Sequence, residues 1–155
     1  MKRQGTVIGV CLSQKRTDPK KNIGTGLLQA GWGLEGDSHA GTEKEISLLA
    51  EEEVQALCRE FNITAEPGSF AENIRTEGID LSALPIGATL QIGKAKLQVV
   101  QIGKDPTQPH TYRYRGHSLL PVKGVFGRVI ESGEVKMGDL VGLPNPSKMQ
   151  GGDNG

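Results

Sequence analysis

Aromatic side chains are scarce in this chain: one Trp, two Tyr and three Phe among 155 residues. A core built on rings is excluded, so the interior must be mainly aliphatic. Cysteine is scarcer still, at Cys11 and Cys58 only. Two cysteines are too few for a disulfide scaffold, and a reduced, cytoplasmic protein is the expectation. Neither sign of charge is in excess, since 18 acidic residues balance 18 basic ones. A nucleic-acid binder would carry a basic surplus, so no long polyanion is expected as partner. No apolar run approaches the roughly 18 residues of a membrane span, and no membrane association is expected. The start, MKRQGTVIGVCLS, has a short apolar run that breaks into SQKRTDPKK and does not read as a signal peptide. Walker, GxGxxG, HExxH and CxxC motifs are missing as well, and GTGLLQAG is glycine-rich at the wrong spacing.

Glycine is the residue in surplus, at 22, where average usage gives roughly 11. The glycines are dispersed among short Val/Ile/Leu runs, which points to many short strands and tight turns in one domain over residues 1–143. GTVIGVCL reads as a first strand and SQKRTDPKKNIG as a polar, mobile loop. GTGLLQAGWGLEGD reads as two short extended segments, and ATLQIG with KAKLQVVQIG as a hairpin turning at Gly93-Lys94. VFGRVIES and GEVKMGDLVGL read as strand, turn, strand. ISLLAEEEVQALCREF holds the clear helix: Val54, Leu57, Cys58 and Phe61 share one face, acids fill the first turn, and Asn62 closes it. Residues 144–155 have no apolar anchor and read as a disordered tail. The fold class is mainly β. A closed or nearly closed barrel with one peripheral helix around 50–61 fits best, because closure removes exposed edges.

Three stretches could carry chemistry. In GLEGDSHAG, Asp37 and His39 are two apart and share a face if extended. They could pair and fix the His tautomer, or form an Asx turn with a solvated His; two ligands alone do not make a metal site. In PGSFAENIR, Glu72 and Asn73 follow a turn, as ligand contacts or as polar residues opening a strand. In QIGKDPTQPHTYRYRGHS, Lys104, His110, Arg113, Arg115 and His117 stand close in sequence, with Lys123 and Arg128 beyond. Cations so grouped suit an anionic ligand, above all a phosphate that Arg can grip bidentately; acids nearby could equally neutralise them.

Taken in order, GD-x-HAG, PG-x-x-x-EN, IG-x-x-L-x-IG and G-x-V-x-x-GD resemble the MOSC domain, named for the C-terminal domain of molybdenum cofactor sulfurases. The likeness runs from about Gly5 to Leu143 and is nearest the small stand-alone bacterial form. It implies a pyruvate-kinase-type barrel and association with the molybdenum cofactor (molybdopterin), a pterin with a phosphate and a dithiolene. It also implies sulfur carriage or molybdenum-dependent redox chemistry, a cysteine desulfurase or molybdoenzyme as partner, and a family-level association with pyridoxal phosphate. The cofactor-binding candidates it implies are Asp37, His39, Glu72, Asn73, Lys104 and Arg128, and Arg113 joins them from the loop's cation group. The family's cysteine stands in the loop after IGK. Here that loop reads Asp105-Pro106-Thr107-Gln108-Pro109-His110, with Pro106 and His110 where relatives have cysteines and Ser118 in place of a third. A persulfide carrier needs a thiolate, and imidazole cannot replace it. The expectation is therefore a protein binding molybdopterin or a related anion. The alternatives are catalysis through Cys11 or His110, or a docking role in cofactor delivery.

Overall fold

A computed structural model of the chain describes residues 3–15, 18–103 and 113–144. The strands are β1 (Gln4–Leu12), β2 (Lys21–Asn22), β3 (Thr25–Gln29), β4 (Gly33–Leu34), β5 (Ile46–Ala50), β6 (Ile74–Glu77), β7 (Thr89–Ile92), β8 (Ala95–Ile102), β9 (Val125–Glu131), β10 (Gly133–Lys136) and β11 (Leu140–Gly142). Helix α1 (Glu51–Phe61) follows β5, and a short helix α2 (Leu120–Lys123) precedes β9.

The order β11-β7-β8-β9-β5-β6-β1 closes on itself because β11 also pairs with β1, which makes a seven-stranded barrel. All its pairings are antiparallel except β5 with β6, whose connection is α1. Aliphatic side chains fill the barrel: Val7, Val10, Ile46, Leu48, Ile74, Leu90, Leu97, Val125, Val129 and Val141 belong to one buried cluster. Among the described residues the aromatics lie elsewhere. Phe70 and Phe126 join Leu49, Val54, Cys58, Leu119 and Leu120 in a second cluster, the outer layer, which uses the opposite side of β5 and β9 and the inner face of α1. β10, β3 and β4 form a small separate sheet.

Several sequence readings are corrected here. The helix expected around 50–61 is α1, and ISLLA ahead of it, which had no assignment of its own, is strand β5 with all five residues buried. A strand covered on both sides loses the alternation that marks it, so its apolar run carried no strand signal. On α1, Val54 and Cys58 are buried as expected, but Phe61 is 47 % exposed, with its ring 4.2 Å from that of His117. Asn62 does close the helix, in the left-handed conformation at φ 52°. The hairpin at Gly93-Lys94 is present as β7–β8. GEVKMGDLVGL is two strands in different sheets: the backbone N–H of Gly138 donates to Val7 C=O, that of Val7 donates to Asp139 C=O, and this break lets β11 join β1. SQKRTDPKKNIG is not wholly a mobile loop, since Lys21 and Asn22 pair with Leu12 and Cys11 and Lys20 is buried. The tail from 145 onward lies outside the described residues.

Candidate functional site

The ends of β1, β5 and β6 meet on the outside of the barrel, and buried polar groups converge there. Asp37 sits in the turn after β4, with a side chain sealed from solvent. Its Oδ1 accepts the Ser13 N–H at 3.1 Å and the Lys20 ammonium at 2.6 Å, and its Oδ2 accepts the His39 N–H at 3.1 Å. Burial pulls the Asp37 carboxyl upward. The hydrogen bond and charge of Lys20, with help from Asn73 and the Ser13 N–H, outweigh burial and hold it below its ordinary 3.8. Lys20 has only 1 % of its side chain exposed, and its Nζ also lies 3.3 Å from Ser13 Oγ and 3.3 Å from His39 Nδ1. The His39 ring is one-third exposed. Thr42 locks the turn that follows, donating to His39 C=O at 2.7 Å and accepting the Lys44 N–H at 3.3 Å. Glu45 docks that turn on the barrel by accepting the Val129 N–H at 2.9 Å.

Beside this group Asn73 bridges β5 and β1. Its Oδ1 accepts from Ser47 N–H and hydroxyl, and its Nδ2 donates to Cys11 C=O at 3.1 Å. Glu72 is fully buried; its carboxylate accepts the Gly68 and Phe70 N–H groups, each at 3.1 Å, and takes Arg75 Nε at 2.6 Å. Arg75, also fully buried, reaches Glu51 at 2.6 Å and Glu66 C=O at 2.8 Å with its remaining nitrogens. The turn held by Glu72 requires glycine at 68. Its φ is +93°, and a Cβ there would strike Lys20 C=O and come within 3.4 Å of Cys11 Cβ.

Cys11 lies beneath that turn, with no exposed surface and outside the barrel cluster, not facing the interior. Burial pushes its thiol from 9.0 up to about 12; Glu72's charge adds to the rise, and Arg75 and Lys20 offset it only in part. Cys58 is buried in the outer layer. Both cysteines of the chain are thus inside.

Three exposed arginines, Arg113, Arg115 and Arg128, and the half-buried Lys44 border the outer layer. Lys44 Nζ stands 5.3 Å from the centre of the Phe126 ring. Arg128 is exposed two residues further along β9, on the same side of the strand, opposite Gln98. Arg115 lies over the Tyr114 ring at 5.6 Å and donates from Nε to its hydroxyl, while that ring packs edge-on against Phe70. Arg113 is exposed next to Tyr114, whose hydroxyl donates to Thr64 C=O at 2.7 Å.

Of the residues singled out in the sequence, the fold brings Asp37 to His39 and sets Glu72 and Asn73 around Cys11. Asp37, Glu72 and Asn73 offer no exposed side chain, because each is spent on internal hydrogen bonds. Arg113 and Arg128 are exposed and share with this group only the outer layer between them. Lys104 and His110 lie outside the described residues. Sequence reasoning missed Lys20, Ser47, Arg75 and Lys44. Arg75 did leave a signal, an arginine three residues after Glu72 at the second position of β6. Among the described residues no group of three or more His, Cys, Asp or Glu is placed to hold a metal ion, and no helix is long and apolar enough to cross a membrane.

The MOSC domain family model matches residues 35–142. Among solved structures, the YuaD protein of Bacillus subtilis is 18% identical with a TM-score of 0.68, over 89% of this chain and 94% of that one. YiiM of Escherichia coli is 21% identical with a TM-score of 0.63, over 92% and 70%. YiiM of Geobacillus stearothermophilus is 18% identical with a TM-score of 0.62, over 91% and 73%. At these identities the likeness is one of fold. No curated protein matches. Nothing in the matches bears on pyridoxal phosphate.

Proposed function

Because this chain belongs to the MOSC domain family, whose members are associated with the molybdenum cofactor, we propose that it binds that cofactor, or a related anion, without carrying sulfur. The observation that carries this reading is the placement of four cations, three exposed arginines and the half-buried Lys44. In a chain of balanced charge, Lys44, Arg128, Arg113 and Arg115 border one aromatic-lined layer, beside the turn that bears His39. Two of them are stacked on rings, which limits the entropy they lose when they grip an anion. This donor set fits the phosphate end of molybdopterin. Arg128, Lys44 and His39 are the side chains that would hold it, and a bound cofactor would supply the metal and dithiolene chemistry that the chain itself lacks.

No residue of the chain fits the role of sulfur donor. Persulfide transfer runs through an accessible thiolate, and both cysteines are buried, Cys11 with its proton held to about pH 12. Titrating molybdopterin into the purified protein should give saturable binding, weakened about tenfold or more by Arg128→Ala, since a charge-assisted hydrogen bond contributes roughly 1.5–3 kcal/mol. No saturation, or an unchanged affinity in Arg128→Ala, would count against the reading.

A docking role toward a cysteine desulfurase or molybdoenzyme is the second reading. One observation favours it: Ile23, Leu27 and Met137, on or beside β3 and β10, are each 41–48% exposed, and Met137 N–H donates to Gly24 C=O.

A further inference from the structure

The geometry points to Lys20 as a positioning residue that fixes the His39 imidazole with its proton on Nε2. A buried ammonium has three protons and must find three acceptors. Lys20 finds Asp37 Oδ1 at 2.6 Å, Ser13 Oγ at 3.3 Å and His39 Nδ1 at 3.3 Å. The Lys20 ammonium and the Asp37 carboxylate form a charge-assisted pair at 2.6 Å. A charged Lys20 can only donate, so Nδ1 must accept and the ring proton must sit on Nε2. The competing arrangement, with Nδ1–H donating to Asp37, is not available: Nδ1 stands 3.8 Å from Oδ2, beyond hydrogen-bond reach, and Oδ2 already accepts the His39 backbone N–H. Ser38 Oγ, 3.4 Å from the same nitrogen, can turn its hydroxyl either way and does not oppose this.

The consequence is chemical. With Nδ1 accepting from Lys20, the proton of the one-third-exposed His39 ring sits on Nε2. A donor of this kind suits an anionic oxygen, a phosphate or a carboxylate, and does not suit a metal ion, which would need the Nε2 lone pair. The use of the donor rests on the ligand reading above. The tautomer is a property of the unliganded chain.

Long-range proton–nitrogen NMR of uniformly labelled protein at neutral pH reads the tautomer directly. His39 is assigned by the resonance that disappears in His39→Gln. The expected result is a single neutral tautomer protonated on Nε2. In Lys20→Met, His39 should shift toward an averaged, two-tautomer signature. Should the charge left on Asp37 prevent that variant from folding, Lys20→Met/Asp37→Leu removes both charges together and should give the same release. A wild-type His39 protonated on Nδ1, or a tautomer unchanged when Lys20 is removed, would overturn the assignment. Adding inorganic phosphate separates the two ideas. A shift of the His39 Nε2 proton supports both, whereas a fixed tautomer that ignores phosphate leaves Lys20's role standing and counts against the ligand reading.

Discussion

Replacing Arg75 with Met is expected to lower the unfolding free energy by about 3–5 kcal/mol, the usual loss when one partner of a buried ion pair is removed. Arg75 is fully buried between Glu72, which is also fully buried, and Glu51. Without the guanidinium, Glu51 can turn to water, since a fifth of its side chain is already exposed. Glu72 cannot. Its carboxylate would remain sealed with only the Gly68 and Phe70 N–H groups as partners. Arg75→Met/Glu72→Gln should recover part of the loss, because it removes the stranded charge along with its partner. Urea unfolding followed by far-ultraviolet dichroism measures all three proteins. A loss below about 1 kcal/mol for Arg75→Met would mean that the network contributes no more than a surface pair.

The second large effect concerns the thiols. Native protein at pH 8 should take up almost no iodoacetamide over a period in which unfolded protein takes up two equivalents. With the Cys11 thiol at about 12 in place of 9.0, ionisation alone slows its reaction about a thousandfold. Burial beneath the Gly68 turn adds to this. Incubation with a cysteine desulfurase and cysteine should likewise leave the intact mass unchanged, with no increment of one sulfur atom. A prompt single alkylation at Cys11, or a persulfide there, would restore the sulfur-carrier reading. The two predictions are linked, because Glu72 holds the turn that covers Cys11 and Arg75 holds Glu72. Arg75→Met removes a charge that lowers the Cys11 thiol pKa, so any rise in Cys11 reactivity in the folded fraction reports opening of the Gly68 turn.

The barrel was legible where local chemistry and tertiary structure agree. The Gly93-Lys94 turn between alternating strands announced β7–β8, and the stripe of Val54, Leu57 and Cys58 announced α1. It was illegible where pairing partners decide. The break at Gly138 that divides β10 from β11 is set by exchange of hydrogen bonds with Val7, some 130 residues away in sequence. The site shows the same division. GD-x-HAG offered Asp37 and His39 as a side-chain pair or an Asx turn, and in the fold Asp37 Oδ2 accepts the His39 backbone N–H while the ring nitrogen stands 3.8 Å away. Nothing in KRTDPKKN distinguishes the buried Lys20 from the lysine that follows it, because only the folded chain supplies three acceptors for one of them. Glu72 and Asn73 stood in the sequence as ligand contacts or as polar residues opening a strand, and in the fold their polar atoms tie β1, β5 and β6 together.

The most direct test of ligand binding without sulfur chemistry is a molybdopterin titration of the cysteine-free variant Cys11→Ala/Cys58→Ala beside the wild type. The account predicts saturable binding by both, with dissociation constants within about threefold of each other, a difference below 1 kcal/mol. Binding by the wild type that is lost in the cysteine-free protein, or no saturable binding by either, would contradict it.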